Sequence, residues 1–171
     1  MAKCSMVRAP QFTRPANTTQ YTAGDLVANS VTAGSVVPLL FDLSGVKGGT
    51  SGKVVGGLMR KSTVTVTVAT FALHLFANIS PVVTNGDNGA LLITTPATDL
   101  PNYIGTVPFD FATIGNDINI AGGALIKAAV PALGILGFFA RQRRIFGLIE
   151  AVGAYTPASA ETFDAAITVE T

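Results

Sequence analysis

One cysteine, one histidine and no tryptophan stand in a chain of 171 residues, and each scarcity closes off a chemistry. Cys4 has no second thiol to pair with, so an intrachain disulfide is excluded, and with it a zinc site built on cysteines. It reads as a bystander near the start of the chain. His74 has no second histidine, which removes HExxH and every other paired-histidine metal motif. Charge is scarce too: 12% of the residues are Asp, Glu, Lys or Arg, about half of the roughly 25% usual in soluble chains. The formal net charge of +1 argues against a nucleic-acid binder, which shows a basic face or a high isoelectric point. Long apolar runs are missing. The nearest, residues 124–140, is interrupted by Lys127, Pro131, Gly134 and Gly137 and falls short of the roughly 20 residues that cross a bilayer. It reads as a buried strand pair or an interface segment. Residues 1–23 carry Lys3 and Arg8 but no apolar stretch behind them, unlike a secretory signal.

What is abundant is apolar surface, at 49% of residues. The length suits one domain of roughly 100–200 residues, enough to bury a core without covalent staples. Soluble monomers rarely expose an apolar patch above a few hundred Å². So much apolar content with so little charge therefore points to a domain that buries its own core and then buries more against neighbours.

The pattern along the chain is that of short strands. Residues 1–20 are polar, rich in Thr, Pro and Gln, with Pro10 and Pro15 preventing a continuous helix. They read as an extended N-terminal arm, ordered only where another surface holds it. From Tyr21 to residue 171 the chain reads as one β-domain. Leu26-Val27-Ala28 and residues 36–43 are apolar runs bounded by Gly and Asn, and residues 53–60 form a further strand weakened by Gly56 and Gly57. Over residues 62–76, Val64, Val66 and Val68 alternate with threonines, and then Phe71, Leu73 and Leu75 continue in the opposite phase. A bulge near Ala69-Thr70 would keep both sets on the core side. Residues 90–94, 103–111 (an edge, given Pro108), 116–121 and 138–148 read as strands. Residues 162–170 form a terminal strand with Phe163, Ala165, Ile167 and Val169 on one face. A short helix competes only over 121–132. Many short strands separated by Gly, Pro and Asn predict an all-β fold, an antiparallel β-sandwich or jelly-roll-like domain.

No candidate catalytic, cofactor-binding or metal-binding residue emerges. His74 sits between two leucines of the strongest strand and reads as an outer-face or subunit-contact histidine; a catalytic base would need a nucleophile and an orienting group. Asn85, Asp87, Asn88 and Asp99 are hard-oxygen residues, but they lack the spacing of a calcium loop and read as turn chemistry. Residues 45–53 resemble a phosphate loop superficially. Lys53 is followed by Val54 where Ser or Thr belongs, and no helix is expected after it. Arg141-Gln142-Arg143-Arg144 is a compact basic cluster, read as contact with an acidic partner surface or as solvated charge.

Several segments taken together resemble a known class. They are Phe12-Thr13-Arg14-Pro15, Tyr21-Thr22-Ala23-Gly24-Asp25 and Leu73-His74-Leu75-Phe76-Ala77-Asn78-Ile79-Ser80-Pro81. Further along come Asp87-Asn88-Gly89-Ala90, Tyr103-Ile104-Gly105, Ile145-Phe146-Gly147-Leu148-Ile149-Glu150, Gly153-Ala154-Tyr155-Thr156-Pro157-Ala158-Ser159 and Glu161-Thr162-Phe163. Across residues 12–170 the chain resembles small virion proteins of tailed bacteriophages, and specifically the capsid decoration, or cement, proteins. The resemblance implies a β-sandwich on the outside of a capsid shell, commonly a homotrimer. Such a protein is made in the host cytoplasm and bridges major capsid protein subunits, with no enzymatic activity, cofactor, nucleic acid or membrane. The apolar region 122–139 is expected as core, trimer interface or capsid-facing surface. The competing expectations are a tail or baseplate structural protein and a host-receptor or glycan-binding β-module. The lack of Trp and the presence of only three Tyr count against the latter, since binding surfaces are enriched in aromatics.

Overall fold

The computed structural model describes residues 2–63, 69–94, 100–111, 117–120, 124–131 and 134–171; for residues 100, 117–120 and 124–126 the backbone alone is described. Among the described residues twelve strands follow one another: β1 (Cys4–Arg8), β2 (Phe12–Thr13), β3 (Asp25–Val27), β4 (Leu39–Asp42), β5 (Ser51–Lys61), β6 (Thr70–Ala77), β7 (Tyr103–Asp110), β8 (Asp117–Ile120), β9 (Ala124–Ala129), β10 (Leu136–Phe139), β11 (Arg144–Ala151) and β12 (Thr162–Glu170). They form two antiparallel sheets packed face to face, the all-β sandwich that the strand pattern predicts. The seven-stranded sheet runs β1-β12-β5-β9-β8, with β2 also on β12 and β10 also on β5; the five-stranded sheet runs β3-β11-β6-β7, with β4 also on β11.

Both sheets follow one plan: a long strand flanked by two short partners laid end to end. β1 and β2 share the outer edge of β12, with Arg8 opposite Ala166 and Thr13 opposite Thr162. Pro10, which has no N–H to give to a ladder, sits in the gap. β4 and β3 divide β11 in the same way, with Gly147 opposite Leu39 and Val27 opposite Ile149. Within residues 2–20, β1 and β2 form an edge of the seven-stranded sheet. Arg14 is buried beneath them.

Alternation explains which faces meet. Phe163, Ala165, Ile167 and Val169 of β12 and Val54 and Met59 of β5 face Phe71, Leu73 and Leu75 of β6, Val107 and Phe109 of β7 and Ile145 and Ile149 of β11 in one buried cluster. Phe71 is central, with the rings of Phe111, Tyr155 and Phe163 edge-on to it at 5.3–5.8 Å. Burying each such side chain contributes roughly 1.5–3 kcal/mol. The five-stranded sheet is covered on its other face as well. There Leu26, Phe76 and Leu148 pack on Val83 from the loop after β6. That is why β6 reads as nearly continuously apolar.

The structure revises several boundaries. Residues 138–148 fall in two strands: β10 ends at Phe139, β11 begins at Arg144, and Arg141-Gln142-Arg143 make the turn between them, with Arg143 at φ 54°. Residues 90–94 make isolated bridges, Asp25 to Ala90 and Val83 to Ile93, instead of a strand. Residues 124–129 are strand, so the competing helix is not formed there. The predicted strand over 62–76 begins at Thr70. The valines 64, 66 and 68 lie outside the described residues, and so does the test of the bulge. β5 and β6 belong to different sheets, so the chain changes sheets between Lys61 and Thr70. A bulge does occur in β5, where Thr168 faces Gly56 and Val169 faces Val54, skipping Val55.

Candidate interaction surface

Among the described residues polar side chains stand out as groupings in three places. The first is the end of the sandwich where β5, β11 and β2 finish. Arg14, just past β2, donates from Nη2 to Asp87 Oδ2 at 2.9 Å and from Nε to the Tyr21 hydroxyl at 2.8 Å. Tyr21 in turn donates to Asp87 Oδ1 at 2.5 Å, which also accepts from the Ala28 amide at 2.9 Å. Both charged side chains are fully buried. Asp87 is therefore an anchor, with Arg14, Tyr21 and Ala28 holding its two oxygens; Asp99 lies outside the described residues. Gly86 lets this loop approach: a Cβ there would lie 2.1 Å from the Val31 carbonyl.

Stacked against Tyr21, at 6.2 Å between ring centroids, is Tyr155. It donates to Glu161 Oε2 at 2.5 Å. Glu161 also accepts from Thr63 and lies 3.6 Å from Lys61 Nζ, in a second fully buried ion pair. Burial raises both tyrosine hydroxyls well above their ordinary value, and the adjacent carboxylates add to the effect. Burial lowers the Lys61 ammonium, and Glu161 opposes that shift. Of these six residues spacing points only to Asp87, and as turn chemistry, because ion pairs assembled from separate loops leave no periodic signal.

The second place is the outer face of the five-stranded sheet. His74 points outward, as its position between two inward leucines predicts. Its Nε2 lies 2.6 Å from Glu150 Oε2 and its Nδ1 lies 3.1 Å from the Tyr103 hydroxyl, which is itself 2.6 Å from Thr106 Oγ1. The ring bridges the Glu150 carboxylate on one side and the Tyr103 hydroxyl on the other. Thr106 Oγ1 is closer to Tyr103 than to His74, from which it stands 3.4 Å. His74 is thus a cross-strand tie between β6, β7 and β11.

The third place is the opposite end, where β10 turns into β11. Arg141, Gln142, Arg143 and Arg144 are all exposed, as is Phe139. The Arg141 guanidinium lies over the Phe139 ring at 5.4 Å. Asn78, in the left-handed conformation with φ 68°, fastens the turn. Its amide nitrogen Nδ2 donates to the Phe139 carbonyl at 2.9 Å and its Oδ1 accepts from the Gln142 amide at 3.4 Å. Its backbone N–H donates to the Arg144 carbonyl at 3.1 Å. The glycine-rich loop 45–53 lies at this same end and runs into β5, a strand, so it lacks the helix N-terminus of a phosphate loop. Cys4 is exposed on β1.

The described side chains of region 122–139 divide between core and surface. Leu136 and Phe138 are buried, whereas Val130, Ile135 and Phe139 are exposed. Among the described residues no group of three or more His, Cys, Asp or Glu is placed to hold a metal ion, and no helix is long and apolar enough to cross a membrane. No protein-family model matches the chain, and no curated protein matches it.

Proposed function

We propose that this chain is a structural virion protein that decorates the outside of a capsid shell and bridges major capsid protein subunits, acting as a homotrimer and catalysing no reaction. The observation that supports this reading is apolar surface left over after a closed core. Val37 is 69% exposed, Val130 66%, Phe139 57% and Val82 56%. These side chains belong to different strands and loops, so the surplus is spread around the sandwich rather than gathered into one cleft. Val37 continues into a shallow apolar groove with Pro10, Phe12, Pro38 and Leu40, where the edges of the two sheets meet. A protein that touches several neighbours needs several such patches. In a trimer, once one contact is made the others become effectively intramolecular, so weak patches add up to firm attachment.

The test is the copy number of this chain in purified virions relative to the major shell protein, measured by quantitative mass spectrometry. A near-stoichiometric ratio is expected. A few copies per particle would move the assignment to the tail or baseplate, and absence from virions would remove it.

A further inference from the structure

The chain's net charge of +1 conceals a polar distribution. Lys3, Lys47, Lys53, Arg141, Arg143 and Arg144 are exposed at the end of the sandwich where β10 turns into β11, and Asp42 and Glu170 are the carboxylates described there. The hydrogen bonds of this end tie its loops together. Arg143 donates to the Ser44 carbonyl at 3.3 Å, Leu43 N–H to the Arg143 carbonyl at 2.9 Å and Thr171 to the Lys47 carbonyl at 2.8 Å. Asp42 stands opposite Arg144 across β4 and β11. Its carboxyl is held below the ordinary range first by the Ser44 amide, and also by Arg144.

We infer that this end is the shell-facing anchor, and that it takes an acidic, extended segment of the neighbouring capsid subunit. Three observations carry the inference, which rests on the decoration reading above. The excess of exposed cations over carboxylates fits a partner of opposite charge. Phe139 supplies an exposed apolar contact beside those cations, next to a shallow groove lined by Asn78, Pro101, Asn102 and Tyr103. Aromatic residues, Phe among them, and arginine are enriched in the cores of protein interfaces. Finally, Asn78 bonds to the strand on one side of the turn, to its tip and to the strand on the other side. The turn is thereby held in one shape before any partner arrives, which reduces the entropy lost on binding. A single-stranded nucleic acid is the less favoured occupant. Such sites present a series of aromatic faces for successive bases, whereas here Arg141 already covers one face of Phe139.

The experiment is cosedimentation of the purified full-length chain with empty shells assembled from the major capsid protein alone, at low and at physiological salt. Arg141→Glu is compared with Arg8→Glu, which makes the same charge change on exposed β1 away from this end. Phe139→Ala is the second variant, and melting curves check that each is folded. Expected are binding by the wild type, loss of about tenfold or more for Arg141→Glu and for Phe139→Ala, little change for Arg8→Glu, and weaker wild-type binding as salt rises. Equal binding by Arg141→Glu and wild type would overturn the anchor while leaving the decoration reading intact. A wild-type chain that ignores the shells would overturn both. Displacement from shells by a single-stranded oligonucleotide, but not by a poly-glutamate peptide, would assign the surface to nucleic acid and overturn the proposed partner.

Discussion

The two ends of this sandwich handle charge in opposite ways. At one end, Arg14 meets Asp87 and Lys61 meets Glu161, all four fully buried, with Tyr21 and Tyr155 stacked between the pairs. At the other, the cations of the β10–β11 turn stand in solvent around Phe139. Desolvation opposes burying an ion pair and the attraction between the partners offsets it, so removing either one strands the other in a medium that cannot solvate it. An exposed cation contributes little to folding and remains available for a partner. The closed end thus belongs to the fold, and the open end is the one we propose for binding. Four predictions follow from treating them so differently.

The largest effect belongs to removal of residues 2–20. These residues contribute β1, β2 and Arg14, so the deletion exposes one edge of β12 and leaves Asp87 buried without its cation. Had they been a free arm, the remainder would fold unaided. The structure predicts loss of a cooperative thermal transition by circular dichroism, and a truncated chain melting like the full one would break the comparison at its root.

Next comes Asp87→Ala. It leaves the Arg14 guanidinium, the Tyr21 hydroxyl and the Ala28 amide without their shared acceptor. The expected destabilisation is about 3–5 kcal/mol in urea unfolding. A loss below about 1 kcal/mol would mean that water takes over the carboxylate's role and that the end is less closed than its burial indicates.

How much of this was legible in the sequence follows the same division. Alternation in Phe163, Ala165, Ile167 and Val169 identified β12 and its inner face because a strand in contact with one core repeats every two residues. The same rule placed His74 outward. Burial on both faces blurred it in β6, and β5 gave no warning of its bulge at Val55. The basic cluster was visible as Arg141-Gln142-Arg143-Arg144, but its role as a turn was hidden. What makes the turn is Asn78, more than sixty residues away, and no local pattern announces a long-range hydrogen bond. The closed end was the least legible part. Arg14, Asp87, Lys61 and Glu161 are far apart in sequence, and each alone resembles an ordinary surface charge.

A third, smaller effect appears with pH. Tyr21 and Tyr155 have hydroxyl pKa values raised above their ordinary value of 10.0. Their contribution is complete below that value. It is lost as pH climbs past about 10, where the unfolded chain releases these protons and the folded one keeps them. Lys61, lowered by burial, runs the other way: stability rises between its folded value and 10.5, where unfolded lysine titrates. Above about pH 10.5 only the tyrosine loss remains, with a slope of up to about 2.7 kcal/mol per pH unit for two protons. Urea unfolding at pH 10.5, 11 and 11.5, above the opposing lysine window, should show the fall. Tyr21→Phe, less stable at neutral pH, should show a shallower one. An alkaline profile that does not change in that variant would remove Tyr21 from the explanation.

The smallest effect tests the open end. Arg141→Glu breaks the contact with the Phe139 ring, a solvent-exposed cation–π pair of about 0.5–1 kcal/mol, and touches nothing in the core. Asn78 fastens the turn through the Phe139 carbonyl, the Gln142 amide and the Arg144 carbonyl, none of which involves the Arg141 side chain. Urea unfolding should therefore place this variant within about 1 kcal/mol of the wild type, the range of ordinary surface substitutions. A loss of 2 kcal/mol or more would show that Arg141 is bound into the fold as Arg14 is, and the contrast between the two ends would fail. With stability unchanged, any loss of shell binding by the same variant belongs to the surface itself.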